Sequence, residues 1–170
     1  PTAMVTVVSV EPNTATSTQI TASTAGPYEY EPCMYSHPMR APVVFEGVHA
    51  TFTITRPSAA VVLVTISGRD AGEHGDAPMR AIAEELASGP FALFIDARRT
   101  SGASIDVSNV WASWLRKHRD QLHRIHMLTG SRFIQLTADF VRRFAELGDS
   151  MRVYTDGGAF DEALAIASRS

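Results

Sequence analysis

A single cysteine, Cys33, among 170 residues excludes an internal disulfide and fits a chain that folds in a reducing compartment. Long apolar runs are missing as well: none approaches the roughly 18 residues of a membrane-spanning helix. The N-terminus lacks the basic start and apolar centre of a secretory signal. The expectation is a cytoplasmic protein with no membrane span. Charge of one sign is scarce too, since a net charge of −3 supplies no general electrostatic reason for nucleic acid or an anionic membrane as partner. Enzyme signatures are absent: no Gly-x-x-x-x-Gly-Lys, no Gly-x-Gly-x-x-Gly, no Gly-x-Ser-x-Gly. His118, His123 and His126 stand five and three residues apart across a helix–strand junction, not at the i, i+4 spacing of a helical zinc pair. No metal, no cofactor and no enzymatic activity are expected.

What is present is an ordinary globular composition, with 45% hydrophobic and 19% charged residues. The length suits one domain plus a tail. Residues 1–42 read as that tail, an N-terminal Thr/Ser/Pro-rich arm in which "EPNTATSTQITASTAGP" offers little to bury. Within it "YEYEPCMYSHPMRAP" sets three tyrosines, Met34 and Met39 among prolines. Those side chains suit either the arm's own domain or a second subunit, which makes a homo-oligomer joined through the arm one of the expected assemblies.

From residue 43 to 170 the pattern becomes regular. "VVFEGVHATFTIT" gives two β-rich pieces with Gly47 between them, and "AAVVLVTISG" is a continuous apolar run of the kind found in buried central strands. A helix follows, with Asp76 as N-cap, Pro78 in the first turn and Gly89-Pro90 as its stop. "FALFIDA" is another buried strand. A loop from Asp96 leads to a helix over "VSNVWASWLRKHRDQLH", capped by Asp106. "RIHMLTG" is a short strand, and "SRFIQLTADFVRRFAELG" a helix with Phe133, Leu136, Phe140, Val141 and Phe144 as its apolar stripe. "MRVYTD" and "GAFDEALAIAS" close the chain as strand and helix. This alternation predicts an α/β domain with a mixed, mostly parallel sheet of about five strands and about four helices.

Four pieces in this order, "VVLVTISGRDAGEHGDAPMRAIAEEL", "FALFIDARR", "RIHMLTGSRFIQLTADFVRRF" and "MRVYTDGGAFDEALAIA", resemble STAS domains, and more narrowly the SpoIIAA-like (STAS/SEC14-type) group. The likeness spans about Val43 to Ser168. It implies a STAS-like sheet backed by helices, a bacterial-type domain, and a role in protein–protein regulation or small-ligand sensing. Phospho-switched members carry Asp-Ser-Ser-Gly or a similar sequence at the start of the second helix, where the serine accepts phosphate from a partner kinase. Here "SIDVSNVW" stands in that place: Asp106 and Ser108 match loosely, and Asn109 replaces the glycine.

The candidate site is therefore the stretch "FIDARRTSGASIDVSNVWASW". Arg98 and Arg99 follow a core strand at the end where open α/β sheets bind ligands, and with Thr100, Ser101 and Ser104 they can hold an anion. The plain alternative is a solvated loop whose arginines pair with local acids. Asp96 can fix the loop, and Asp106 can cap the helix. Ser108 in its first turn is the candidate phosphosite, with Ser101 and Ser104 as further hydroxyls. Trp111 and Trp114, three apart, share a helical face; they serve as core or as the wall of a ligand site. Two functions follow as expectations. One is a regulatory module that binds a protein partner, switched by Ser/Thr phosphorylation. The other is a carrier or sensor of a small anionic or apolar ligand.

Overall fold

The computed structural model describes residues 41–169. The N-terminal arm, and its packing in cis or in trans, lie outside the described residues. Strands β1 (Val43–Glu46), β2 (Ala50–Ser58) and β3 (Val61–Asp70) come first, followed by helix α1 (Ala77–Leu86) and strand β4 (Phe91–Ala103). Helix α2 (Ile105–His118), strand β5 (Leu122–Thr129), helix α3 (Arg132–Phe144), strand β6 (Met151–Tyr154) and helix α4 (Gly157–Ala167) complete the order. The described residues form six strands, in line with the expected sheet of about five, and the "VVFE" and "ATFTITRPS" pieces are separate strands as the sequence suggests. The sheet order is β1-β2-β3-β4-β5-β6. β1 and β2 pair antiparallel with their neighbours, while β3, β4, β5 and β6 run parallel, each joined to the next by a helix.

Parallel strands covered on both faces must be apolar on both faces, and β3 and β4 are. On one side Val62, Val64, Leu93 and Ile95 meet Met79 and Ile82 of α1, Trp111 and Leu115 of α2, and Ala138 and Val141 of α3. On the other, Val61, Phe94 and Leu128 meet Tyr154 and Phe160 under α4. Three connecting helices therefore share one face, and among the described residues α4 alone covers the other.

Two sequence expectations are corrected in this half of the molecule. The second helix ends at His118; residues 119–121 form a 3-10 turn, so Leu122 opens β5 instead of extending the helical face. On α3, Phe133, Leu136, Phe140 and Phe144 are exposed, and only Val141 of the expected stripe is buried. The helix has a second apolar row, Ile134, Ala138, Val141 and Ala145, whose smaller side chains let it approach the sheet closely. That row took the core.

The entry to the domain is strapped down by Glu73. Its carboxylate accepts backbone N–H bonds from Val48 (3.0 Å), His49 (3.0 Å) and Ala50 (2.6 Å). Those bonds, Ala50 first, hold the Glu73 carboxyl below its ordinary value. At Gly68 (φ 84°) any Cβ would collide with the His49 carbonyl oxygen, so the β1–β2 turn can lie this close only over a glycine.

His126 is half-buried in β5. Its ring stacks on Phe94 with centroids 4.2 Å apart, and its Nδ1 lies 2.8 Å from the Tyr154 hydroxyl. Burial, reinforced by Arg124 and Arg152, pushes its pKa down to about 4. The unfolded chain takes up this proton near the usual 6.5, well before the folded one does. Stability conferred by neutral His126 is complete above that pH and is lost as pH falls toward 4, by roughly 2–3 kcal/mol. Urea titrations of the parent and of His126→Gln at several pH values check this: the parent should lose more stability than the variant between pH 6.5 and 4. Parallel curves would refute it.

Candidate functional site

β4 does not stop where the sequence suggests a loop. Past Ala97 it continues to Ala103, paired among the described strands only with the end of β3 through Ser67↔Arg99, Gly68↔Thr100, Arg69↔Gly102 and Asp70↔Ala103. Two register shifts, between Thr65 and Ser67 and between Gly68 and Arg69, allow this by re-aiming side chains along the extension. The Thr100 hydroxyl donates to the Ile66 carbonyl (3.1 Å), and the Ser104 N–H donates to the Asp70 carbonyl (2.9 Å). The start of α2 is thereby tied to the end of β3.

Ser104, rather than Asp106, caps α2. Its Oγ accepts from the Val107 N–H at 3.2 Å, and its extended backbone (φ −75°, ψ 160°) is the usual cap geometry. Asp106 sits within the first turn and is exposed, where its charge still complements the helix N-terminus. Ser108 is buried, its hydroxyl donating to the Ser104 carbonyl at 2.9 Å.

The candidate residues divide into three places. Arg98 turns toward α4: its Nε lies 2.9 Å from Asp96 and its Nη2 2.6 Å from Asp161. Through this one guanidinium, Asp96 and Asp161 tie the strand extension to α4. Arg99 and Ser101 are exposed on the strand extension. Ser104, Asp106 and Trp111 come together at a cleft between the N-terminal ends of α1 and α2. Trp114 lies outside it, partly buried and tilted against His118 with centroids 4.6 Å apart.

The cleft has a volume of about 370 Å³, within the usual range of small-ligand sites. Phe52 and Trp111 form aromatic walls, their rings nearly parallel at 6.4 Å. Met79, Pro78 and Val110 add apolar surface, and Asp76 and Asp106 stand among the lining residues. Asp76 occupies the N-cap position of α1, but its carboxylate makes no cap bond and faces Arg80 at 3.4 Å. Behind the Trp111 ring, a smaller apolar cavity of about 60 Å³ reaches toward α3.

Asp70 touches both spaces and is not among the residues that the sequence pattern singles out. Only 6% of its surface is exposed. It accepts from the Gly72 N–H at 3.0 Å, and no arginine or lysine among the described residues pairs with it. Burial pushes its carboxyl above the ordinary value, against the opposing pull of Gly72, His74 and Trp111. The signal is present in "VVLVTISGRD", an acid closing an otherwise apolar strand. It is masked because "GRDAGEHG" reads as one acidic loop. His74 and Glu73, from the same stretch, hold the strap over β2, with His74 Nε2 2.9 Å from the Ala50 carbonyl.

A carboxyl whose folded pKa is raised binds its proton more readily folded than unfolded, so its ionised form costs stability at neutral pH. Asp70→Asn keeps an acceptor for Gly72 and removes the charge. At pH 7 it should unfold at a urea midpoint equal to or above the parent's, and the advantage should shrink as pH falls through the parent's raised pKa. A variant clearly less stable than the parent at pH 7 would contradict this reading of the site.

No family model matches the chain, and no curated protein matches it. Among solved structures it is similar to an uncharacterised protein of the DUF3478 family from Shewanella loihica PV-4, described as having a SpoIIAA-like fold. The two are 14% identical, with a TM-score of 0.52 over 70% of this chain and 97% of that one. It is also similar to the anti-sigma factor antagonist SpoIIAA in its unphosphorylated form (18% identity, TM-score 0.43, 67% and 96% covered). An anti-sigma factor antagonist from Mycobacterium paratuberculosis gives 18% identity and a TM-score of 0.49, with 71% and 95% covered. With its TM-score of 0.52 over 97% of that chain, the first of these shows the fold: the described residues adopt a SpoIIAA-like fold.

Proposed function

We propose that this chain is a non-enzymatic regulatory module of STAS type that binds a protein partner at the cleft between α1 and α2. The observation that carries the reading is Asp70, a buried carboxylate with no arginine or lysine partner among the described residues, at the floor of an aromatic-walled cleft. Perturbed buried acids concentrate at working sites because they are costly elsewhere. Three acids and two aromatic walls suit a partner segment that inserts a lysine or arginine beside an apolar side chain. Ile105, 77% exposed, and Val110, 46% exposed, extend the apolar surface at the rim of the cleft.

Phosphorylation is the switch this reading adopts from the family resemblance. Ser101 is open to a kinase, whereas Ser108 is reached only when the first turn of α2 opens. A phosphate at Ser108 would bring negative charge toward Asp70 and disfavour the closed turn.

One observation favours a second reading, a carrier or sensor of a small ligand: the cleft and the apolar cavity behind Trp111 adjoin through Asp70. Such a ligand would be apolar with a cationic or hydrogen-bond-donating end, since the acids at the cleft do not favour an anion.

Affinity purification from the native host separates the two readings. Proteins retained by the parent and by Arg98→Ala, but lost with Val110→Arg and with Asp106→Arg, would support the docking cleft. The same set retained by all four would sink it. Native mass spectrometry of the host-purified chain should show the bare mass under the first reading and a non-covalent adduct under the second. Intact-mass measurement of the same sample reads the switch: a phosphate lost with Ser101→Ala or Ser108→Ala assigns it, and no phosphate under any growth condition removes it.

A further inference from the structure

We propose that the exposed face of α3 is an interface between two copies of this chain, packed antiparallel about a two-fold axis between Leu136 and Phe140. The face carries Phe133, Leu136, Phe140 and Phe144, exposed by 57%, 63%, 44% and 47%. On a helix these four fall within one narrow stripe about 16 Å long. It is separate from the row of Ile134, Ala138, Val141 and Ala145 that α3 presents to the sheet. Phe140 and Phe144 already stack on each other with centroids 5.7 Å apart. Among the described residues, this second row of three phenylalanines and a leucine serves no core.

The order of residues says what covers the stripe. Reversed end to end, it maps onto itself to within one residue: Phe133 falls against the partner's Phe144, and Leu136 against the partner's Phe140. Self-complementarity of this kind is what an isologous two-fold contact demands. Charge agrees with the same register. Arg132, exposed at the N-terminal end, comes beside the partner's Glu146, and antiparallel helices also oppose their dipoles favourably. Within its own copy Glu146 is already approached by Arg116 and Arg119, so Arg132 would join a surface cluster rather than form a lone pair. Asp139 falls near the axis, where its charge is offset by its own Arg142 at 3.1 Å. The area is of the right order. Taking ~200 Å² for each fully exposed side chain, the stripe offers roughly 400 Å² per copy, about half of a standard interface side. The polar flanks of the helix supply the rest.

The full chain should therefore sediment as a dimer in the micromolar range. Leu136→Lys and Phe140→Glu, both at exposed positions, should each weaken dimerisation about tenfold or more with unchanged circular dichroism. Mixed in equal amounts, the two variants should regain a dimer, because the ammonium introduced in one copy meets the carboxylate introduced in the other. That rescue is specific to the register and cannot come from a general loss of surface apolarity. A parent that stays monomeric throughout would overturn the proposal. So would a dimer indifferent to both substitutions, which would place the contact elsewhere, such as the N-terminal arm, or a mixture that fails to re-form the dimer.

Discussion

The pairing of β3 with the overhanging end of β4 is the constraint on which the site depends. β4 pairs with β5 only as far as Ala97↔Thr129, yet it keeps pairing with β3 for six residues more, through the two register shifts to Ala103. Without that overhang, Ser104 would have no fixed position and α2 no fixed start. With it, the Ser104 N–H reaches the Asp70 carbonyl, the Ser104 hydroxyl caps the helix, and Trp111 two turns later falls over the Asp70 carboxylate. The cleft is a consequence of a strand that outruns its sheet. The same overhang sorts the two arginines: Arg98 turns to α4 and is held by Asp96 and Asp161, while Arg99 remains at the surface.

The two faces of the sheet respond to protons in opposite directions. Under α4, His126 is buried between Phe94 and Tyr154 and resists protonation, so acid weakens that side. Under the three connecting helices, Asp70 is buried and resists ionisation, so acid relieves that side. The first arrangement serves folding, since neutral imidazole packs as an aromatic ring and meets a hydroxyl. The second works against folding at neutral pH. A carboxylate retained where apolar packing would be more stable is best understood through what it binds.

Most of the fold was legible in the sequence, because the signals that specify it are local. The apolar run through Val61 to Ile66 and the Gly89-Pro90 stop state a strand and a helix end without reference to the rest of the chain. The site was less legible, because its features arise from pairing between distant segments. "ARRTSGAS" has the composition of a loop and becomes a strand only because the end of β3 lies beside it with unpaired backbone groups. Asp106 resembles a cap and loses that role to Ser104, which the Asp70 carbonyl positions first. On α3 the difficulty was one of choice: both rows are apolar and helical in period, and periodicity cannot say which one a sheet will select. Side-chain size decides that, since the row with Ala138 and Ala145 admits the closer approach.

The two surfaces left by these choices are distinct, and their separation bears on how the module would work. The stripe on α3 shares no residue with the cleft between α1 and α2. Copies joined through α3 would each keep an open cleft, related by the same two-fold axis. A partner that is itself dimeric, or that repeats its basic and apolar anchor, would then engage both clefts, the second contact forming at the high effective concentration set by the first. Weak docking at one small, polar-rimmed cleft becomes sufficient for regulation under that arrangement. Opening the first turn of α2 in a single copy, by phosphate or by any other means, would remove the gain from bivalency as well as one contact. A dimer of modest sites is in this way more sharply switchable than a monomer with one strong site.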